Sequence, residues 1–252
     1  MGTNACCSLL LAVCALSACA TQPSSRLEAY LGSSAAGGGA ITVDRVSVPA
    51  GPLEAGLLII NDTTAPDSSP MLSASAKAYL ANQIKARVEG ALPVRIVAIL
   101  DPRDVAQGQS RPDIGQMSRD QGAPYLLLAV VSNAESEVPL RLPLTGDPEQ
   151  GGGRPGVSGF EMRTNALAEL ALLDTASGRL VARAEGQAWN RLNRLYVPIQ
   201  SNSYPVIHRS LRVAPIYPKE ENAKDIARSL AGDEAVEQAV YQLQELWRKP
   251  GA

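Results

Sequence analysis

His208 is the single histidine of the chain, and a Ser-His-Asp hydrolase would need it as its general base. Serines are plentiful, but none sits in a Gly-x-Ser-x-Gly turn, and His208 itself lies in a proline-rich stretch. Zinc is equally poorly served. Cys6, Cys7, Cys14 and Cys19 are the only cysteines, so everything after Cys19 lacks a disulfide, a thiolate ligand and a Cys nucleophile. Gly151-Gly152-Gly153-Arg154-Pro155-Gly156 lacks the Lys-Ser/Thr ending of a phosphate loop, and Pro155 removes an amide donor. Asp62 and Asp67, with Asn61, follow an apolar strand and could hold Ca²⁺ or Mg²⁺ through oxygen. The same residue types are ordinary turn and cap formers, which is the plainer account. Glu135 and Glu137 share one strand face and could divide acid-base work; a solvated strand end explains them as simply. The expectation is a domain with no catalytic residues, no resident metal and no cofactor.

Cys19 is the residue whose setting does predict chemistry. Ser8 to Ala18 is an apolar run, too short to cross a bilayer and of the length of a signal-peptide core. It ends in Leu16-Ser17-Ala18-Cys19. This resembles the lipobox of bacterial lipoproteins, in which small residues precede the cut and the cysteine thiol takes diacylglycerol, with a further acyl chain such as palmitate on the new amino terminus. One departure is that Met1 to Cys7 carries no Lys or Arg. Residue 20 is alanine rather than the aspartate that holds such proteins at the inner membrane. The resemblance therefore implies the periplasmic face of the outer membrane. A myristoyl signal fails, because position 6 is Cys6.

The expected organisation is a signal peptide over 1–18, the lipid-bearing cysteine and a flexible tether over 19–40, and one domain over 41–252. Hydrophobic residues form 45% of the chain and aromatics 4%, so Leu, Val, Ile and Ala must fill the core. The net charge of −2, with dispersed arginines, excludes a nucleic-acid binder. Within the tether, Leu27 to Leu31 could form a helical turn. Ile41 to Val48 alternates as a half-buried strand, and Gly56 to Ile60 reads as a buried strand. From Ser73, Leu72, Ala76, Leu80, Ile84, Val88 and Leu92 recur at helical spacing, with Gly90 as a stop signal. Val94 to Leu100 is a second strand, Asp113 to Asp120 a short helix, and Tyr125 to Val131 a central strand apolar on both faces. Such a β-α-β-α-β run predicts parallel strands. Thr164 to Leu173 and Arg179 to Trp189 flank a hairpin turn with Gly178 in the left-handed position. A final helix over about Glu221 to Trp247 meets a break or kink at Gly232-Asp233. Two stretches, 139–159 and 190–219, read as irregular. The first has the look of a mobile loop. The second is apolar enough to pack on its own domain or on a partner, with Tyr196, Tyr204 and Tyr217 as its partner surface. The fold class is α/β with α+β character, a single mixed sheet with an antiparallel hairpin and a C-terminal helix.

The order of lipobox, short tether, "GLLIINDTT", "LSASAKAYL", "VRIVAIL", "YLLLAVV" and "NALAELALLDTASGRLVARAEG" resembles the rhombotarget-type bacterial lipoproteins. More loosely it is similar to the periplasmic domain of the curli secretion channel subunit and to the N-terminal domain of the Tol translocation protein. The resemblance runs from about Leu53 to Gly186, and its most specific piece is Leu172 to Val181 followed by Gly186. It implies a periplasmic mixed-sheet domain with a role in envelope assembly or secretion. The function so implied is a non-enzymatic adaptor held on the membrane by lipid, with an envelope protein as partner. The alternative is a ring-forming subunit of an outer-membrane secretion channel. Against pore formation, 139–159 holds several Pro and Gly residues and lacks sustained alternation. An anchored hydrolase using His208 is the remaining alternative.

Overall fold

The computed structural model describes residues 23, 25–31, 52–120, 122–143, 156–196 and 204–248. Leu16, Ser17, Ala18 and Cys19, and the strand expected at Ile41 to Val48, lie outside the described residues. In chain order the elements are α1 (Glu28–Leu31), β1 (Leu53–Thr63), α2 (Ala74–Ala91), β2 (Val94–Ile99), β3 (Arg103–Ala106) and α3 (Ile114–Asp120). Then follow β4 (Tyr125–Pro143), β5 (Gly156–Asp174), β6 (Leu180–Leu195), β7 (Val206–Arg209) and α4 (Ala223–Arg248).

One mixed sheet runs β2-β1-β4-β5-β6-β7, with β3 also paired to β1 beyond the end of β2. β1 is parallel to β2, β3 and β4, as a strand-helix-strand crossover requires. β4 to β7 are antiparallel neighbours. This is the expected α/β class.

Strand alternation sorts two cores onto the two faces. Leu57, Ile59, Leu127, Ala129, Ala168 and Leu170 point to the side covered by α2 and α4. Leu58, Ile60, Leu126, Leu128, Val130 and Ala171 point to the other, covered by α1 and α3. The central strands are therefore apolar in both parities, which is why they read as continuous runs. α2 starts where Ser73 accepts the amide of Ala76 at 3.1 Å. The same hydroxyl donates to Asp225 at 2.6 Å, tying the starts of α2 and α4 together.

The structure corrects several boundaries. Residues 139–159 are not one irregular loop: β4 continues to Pro143 and β5 begins at Gly156, in unbroken register from Tyr125↔Asp174 to Pro143↔Gly156. β1 ends its pairing at Val131, so the far half of β4 lies at a sheet edge, where prolines are tolerated. β6 likewise runs past Trp189, and β3 and β7, too short to show a pattern, were not anticipated. Gly90 lies inside α2, which ends at Leu92 in extended backbone. α4 passes Gly232-Asp233 without a break.

The β5–β6 turn is as expected, with Gly178 at φ +69°. Asp174 accepts the amides of Ala176 at 3.0 Å and Ser177 at 2.8 Å. These bonds, that from Ser177 first, hold its carboxyl below the usual carboxylate range. A depressed folded-state pKa stabilises the fold above the unfolded value and ceases to do so as pH falls through the folded one. Asp174→Ala should therefore cost about 1 kcal/mol at neutral pH, as for loss of a cap. Urea midpoints at about pH 7 and about pH 3 should show that penalty shrinking in acid.

Candidate functional site

One heavily engaged polar group on the α1 face of the sheet is Glu169, fully buried within β5. A carboxylate there requires partners, and the N-terminal segment supplies them. Ser25 Oγ donates to Oε1 at 2.5 Å, and the amides of Arg26 and Leu27 donate to Oε2 at 2.6 and 3.0 Å. Leu27 is fully buried and Tyr30 nearly so, both within the second core. Arg183 of β6 reaches Glu28 at 3.3 Å. Residues 25–31 are thus a docked helical turn rather than part of a free tether. Upstream, Pro23 borders a surface hollow also lined by Asn165, Ala166, Gln187, Ala188 and Trp189.

Glu169→Ala removes both acceptor oxygens and with them all three hydrogen bonds. Charge-assisted hydrogen bonds contribute about 1.5–3 kcal/mol each, less what water regains. The expected result is a loss of about 2 kcal/mol in the opening free energy of 25–31, or roughly thirty-fold faster amide exchange there. Hydrogen exchange measured residue by residue checks this, and Glu169→Gln should fall in between. Unchanged protection at Leu27 and Tyr30 would sink the idea.

The ion site imagined at Asp62 is occupied by the protein's own donors. Asp62 is buried and accepts Tyr30 Oη at 2.7 Å, Thr64 N at 2.8 Å and Thr64 Oγ1 at 2.6 Å. Burial, then the Asp62 hydrogen bond, push the Tyr30 hydroxyl well above its ordinary range. Asn61 instead turns to Asp104, donating at 3.3 Å, and Asp104 pairs with Lys77. Asp67 is exposed in the following loop. Among the described residues no cluster of His, Cys, Asp and Glu fit for a metal is formed.

Glu135 proves to be a part-buried helix clamp, while Glu137 is the solvated strand end expected, with a partly exposed lysine beside it. Glu135 takes a two-pronged bond from Arg228 of α4 at 2.7 and 3.1 Å, and Glu137 pairs with Lys224 at 2.8 Å. Glu135, Thr164, Asn190 and Arg209 stand in register across β4 to β7. Asn190 Nδ2 donates to the Ala227 carbonyl of α4 at 2.5 Å, and Arg209 lies 3.8 Å from the buried Glu234 of the same helix. A polar row thus fastens α4 over its own sheet.

His208 sits on β7 opposite Arg191, and among the described residues no hydrogen bond joins its ring to a serine or a carboxylate. Of the three tyrosines, Tyr196 is 66% and Tyr217 58% exposed, while Tyr204 is half-buried. The ring of Tyr196 meets Phe160 at 6.0 Å. The described part of the 190–219 stretch packs on its own domain. Ile207 is fully buried with Phe160, Met162 and Leu192, and its backbone bridges to Ile216.

Sequence reasoning missed Glu169 although a signal was present. A glutamate inside "NALAELALL" is a charge in an apolar strand, and such a residue needs a buried partner.

No family model and no curated protein matches the chain. Solved structures align loosely. A PelC dodecamer from Paraburkholderia phytofirmans is 16% identical, covers 79% of this chain and 91% of its own, and gives a TM-score of 0.29. A candidate lipoprotein from Caulobacter crescentus CB15 is 13% identical, covers 76% and 92%, and gives 0.32. A hypothetical protein from Chlamydia trachomatis is 13% identical, covers 75% and 95%, and gives 0.34. Superpositions this loose establish no function. Among the described residues no helix is long and apolar enough to cross a membrane.

Proposed function

We propose that the chain is a lipid-anchored envelope protein, acylated on Cys19 and working by binding another envelope protein rather than by catalysis. The observation that carries this is Leu16-Ser17-Ala18-Cys19 at the end of an apolar run, six residues before the docked Ser25. Support for the second half comes from the side chains first considered for chemistry. Asp62 and Glu135 each hold one element of the domain to another or close a turn. With Ala20 after the cysteine, the periplasmic face of the outer membrane is the proposed location.

The test is the mass of the full protein extracted in mild detergent, alongside Cys19→Ser. Diacylglycerol and acyl chains on the parent, absent from the variant, support the anchor; an unmodified Cys19 removes it. A reproducible protein partner at simple stoichiometry supports the adaptor role.

A ring-forming subunit remains the second reading, favoured by one observation. β4 and β5 make an uninterrupted ladder of 19 residues each, where the sequence had argued against a long hairpin. The same extraction separates the two readings, because head-to-tail contacts that close give one large symmetric species.

A further inference from the structure

We infer that the sheet face opposite α4, centred on Trp189, is the surface this protein lays against the phospholipid headgroups of its own membrane. The inference rests on the lipoprotein reading and adds an orientation to it. Chain length carries the argument. Pro23 borders the same surface hollow as Asn165, Gln187 and Trp189, and Cys19 precedes it by four residues. At no more than about 3.6 Å per residue, the lipid-bearing cysteine stays within about 14 Å of that spot. The three hydrogen bonds to Glu169 stop the segment from peeling away and lengthening the leash. A domain with so short a lead cannot turn its α2–α4 face to the bilayer while 25–31 remains docked.

The chemistry of the face agrees. Trp189 is 40% exposed, and a half-buried indole is the side chain that settles at a membrane-water interface. The Arg191 guanidinium stands over its ring at 5.6 Å. Arg163 and Arg191 share the single carboxylate of Glu161 at 3.8 and 3.9 Å, leaving positive charge in excess toward lipid phosphates. Exposed Val138, at the far end of β4, adds apolar area on the same strand parity as Ser132 and Ala134.

The chain has two tryptophans, Trp189 and Trp247, and Trp247 packs against the core on the α4 side. This permits a direct test on the full lipidated protein in phosphatidylglycerol-phosphatidylethanolamine vesicles, with bromine carried near the glycerol end of the acyl chains. Trp247→Phe leaves Trp189 as reporter, and Trp189→Phe leaves Trp247; unfolding curves of both confirm that each folds. The expected result is that Trp189 loses most of its emission and Trp247 none. Flotation with the vesicles and a lipid-bearing mass, but with both tryptophans unquenched or equally quenched, overturns the orientation and leaves the anchor standing. A bare Cys19 with no flotation removes both together.

Discussion

Gly186→Ala is expected to destabilise the domain by about 3 kcal/mol or to displace α4 from the sheet, because the helix rests on bare backbone there. A Cβ at Gly186 would lie 2.1 Å from the Ala235 carbonyl oxygen and 2.5 Å from the Ala239 amide nitrogen. Both are main-chain atoms of a helix, so no rotamer change makes room. Only a shift of α4 does, and α4 is fixed along its length. It is pinned at its start by Asp225 to Ser73 and by Arg228 to Glu135, and in its middle by Asp233 to Arg87. Moving it disturbs the alanine-rich seam of Ala231, Ala235 and Ala239 against Ala184 and Ala188. Small residues line both sides of this contact, which is how helix and sheet come so close. Urea midpoints check the prediction, with Gly90→Ala as the counterpart of opposite sign. Gly90 has open space where its Cβ would go, lies inside α2, and should gain about 0.5–1 kcal/mol. Equal midpoints for Gly186→Ala and the parent would mean that α4 does not seat on β6 as described.

The contrast shows which features were legible in the sequence. Gly186 stood out as the glycine after the hairpin, but the helix that needs it comes about 50 residues later in the chain. Among the described residues, the reading holds for the elements that carry a strong signal of their own. The alternation of β5, the runs of β1 and β4 and the stripe of α2 are local patterns set by burial. Pattern fails where pairing decides. The far half of β4 contains Pro139 and Pro143, and it is a strand because β5 lies alongside it. β7 is four residues long and exists through its register with β6. The candidate site failed for a related reason. Asp62 and Asn61 look like ion ligands or turn formers in isolation, and their partners Tyr30, Thr64 and Asp104 come partly from elements far off in the chain. Glu169 shows the same limit from the other side, since its partners lie 142 to 144 residues upstream in a segment read as tether.

Arg87→Ala should lower stability by about 3 kcal/mol, more than Asp233→Ala, although the two residues form one pair. Gly232-Asp233 reads from the sequence as a break or kink, yet α4 runs through it with Asp233 buried, a charge that needs a partner. The partner is Arg87 of α2. Its guanidinium donates to both carboxylate oxygens of Asp233, at 2.6 and 2.9 Å, and to the Asp233 carbonyl at 2.7 Å. The side chain of Asp233 is only 9% exposed, that of Arg87 21%. Removing the arginine leaves the buried carboxylate with only the Tyr79 hydroxyl close by, and the Asp233 carbonyl loses its side-chain donor as well. Removing the aspartate leaves a guanidinium that still has Glu237 at 3.5 Å and a route to water. The double variant should cost less than the sum of the two, with a coupling of about 1–3 kcal/mol. A cycle of urea titrations on the parent, both single variants and the double variant measures it. Additive single costs, or a larger penalty for Asp233→Ala, would mean that the pair decorates the α2–α4 contact and does not hold it.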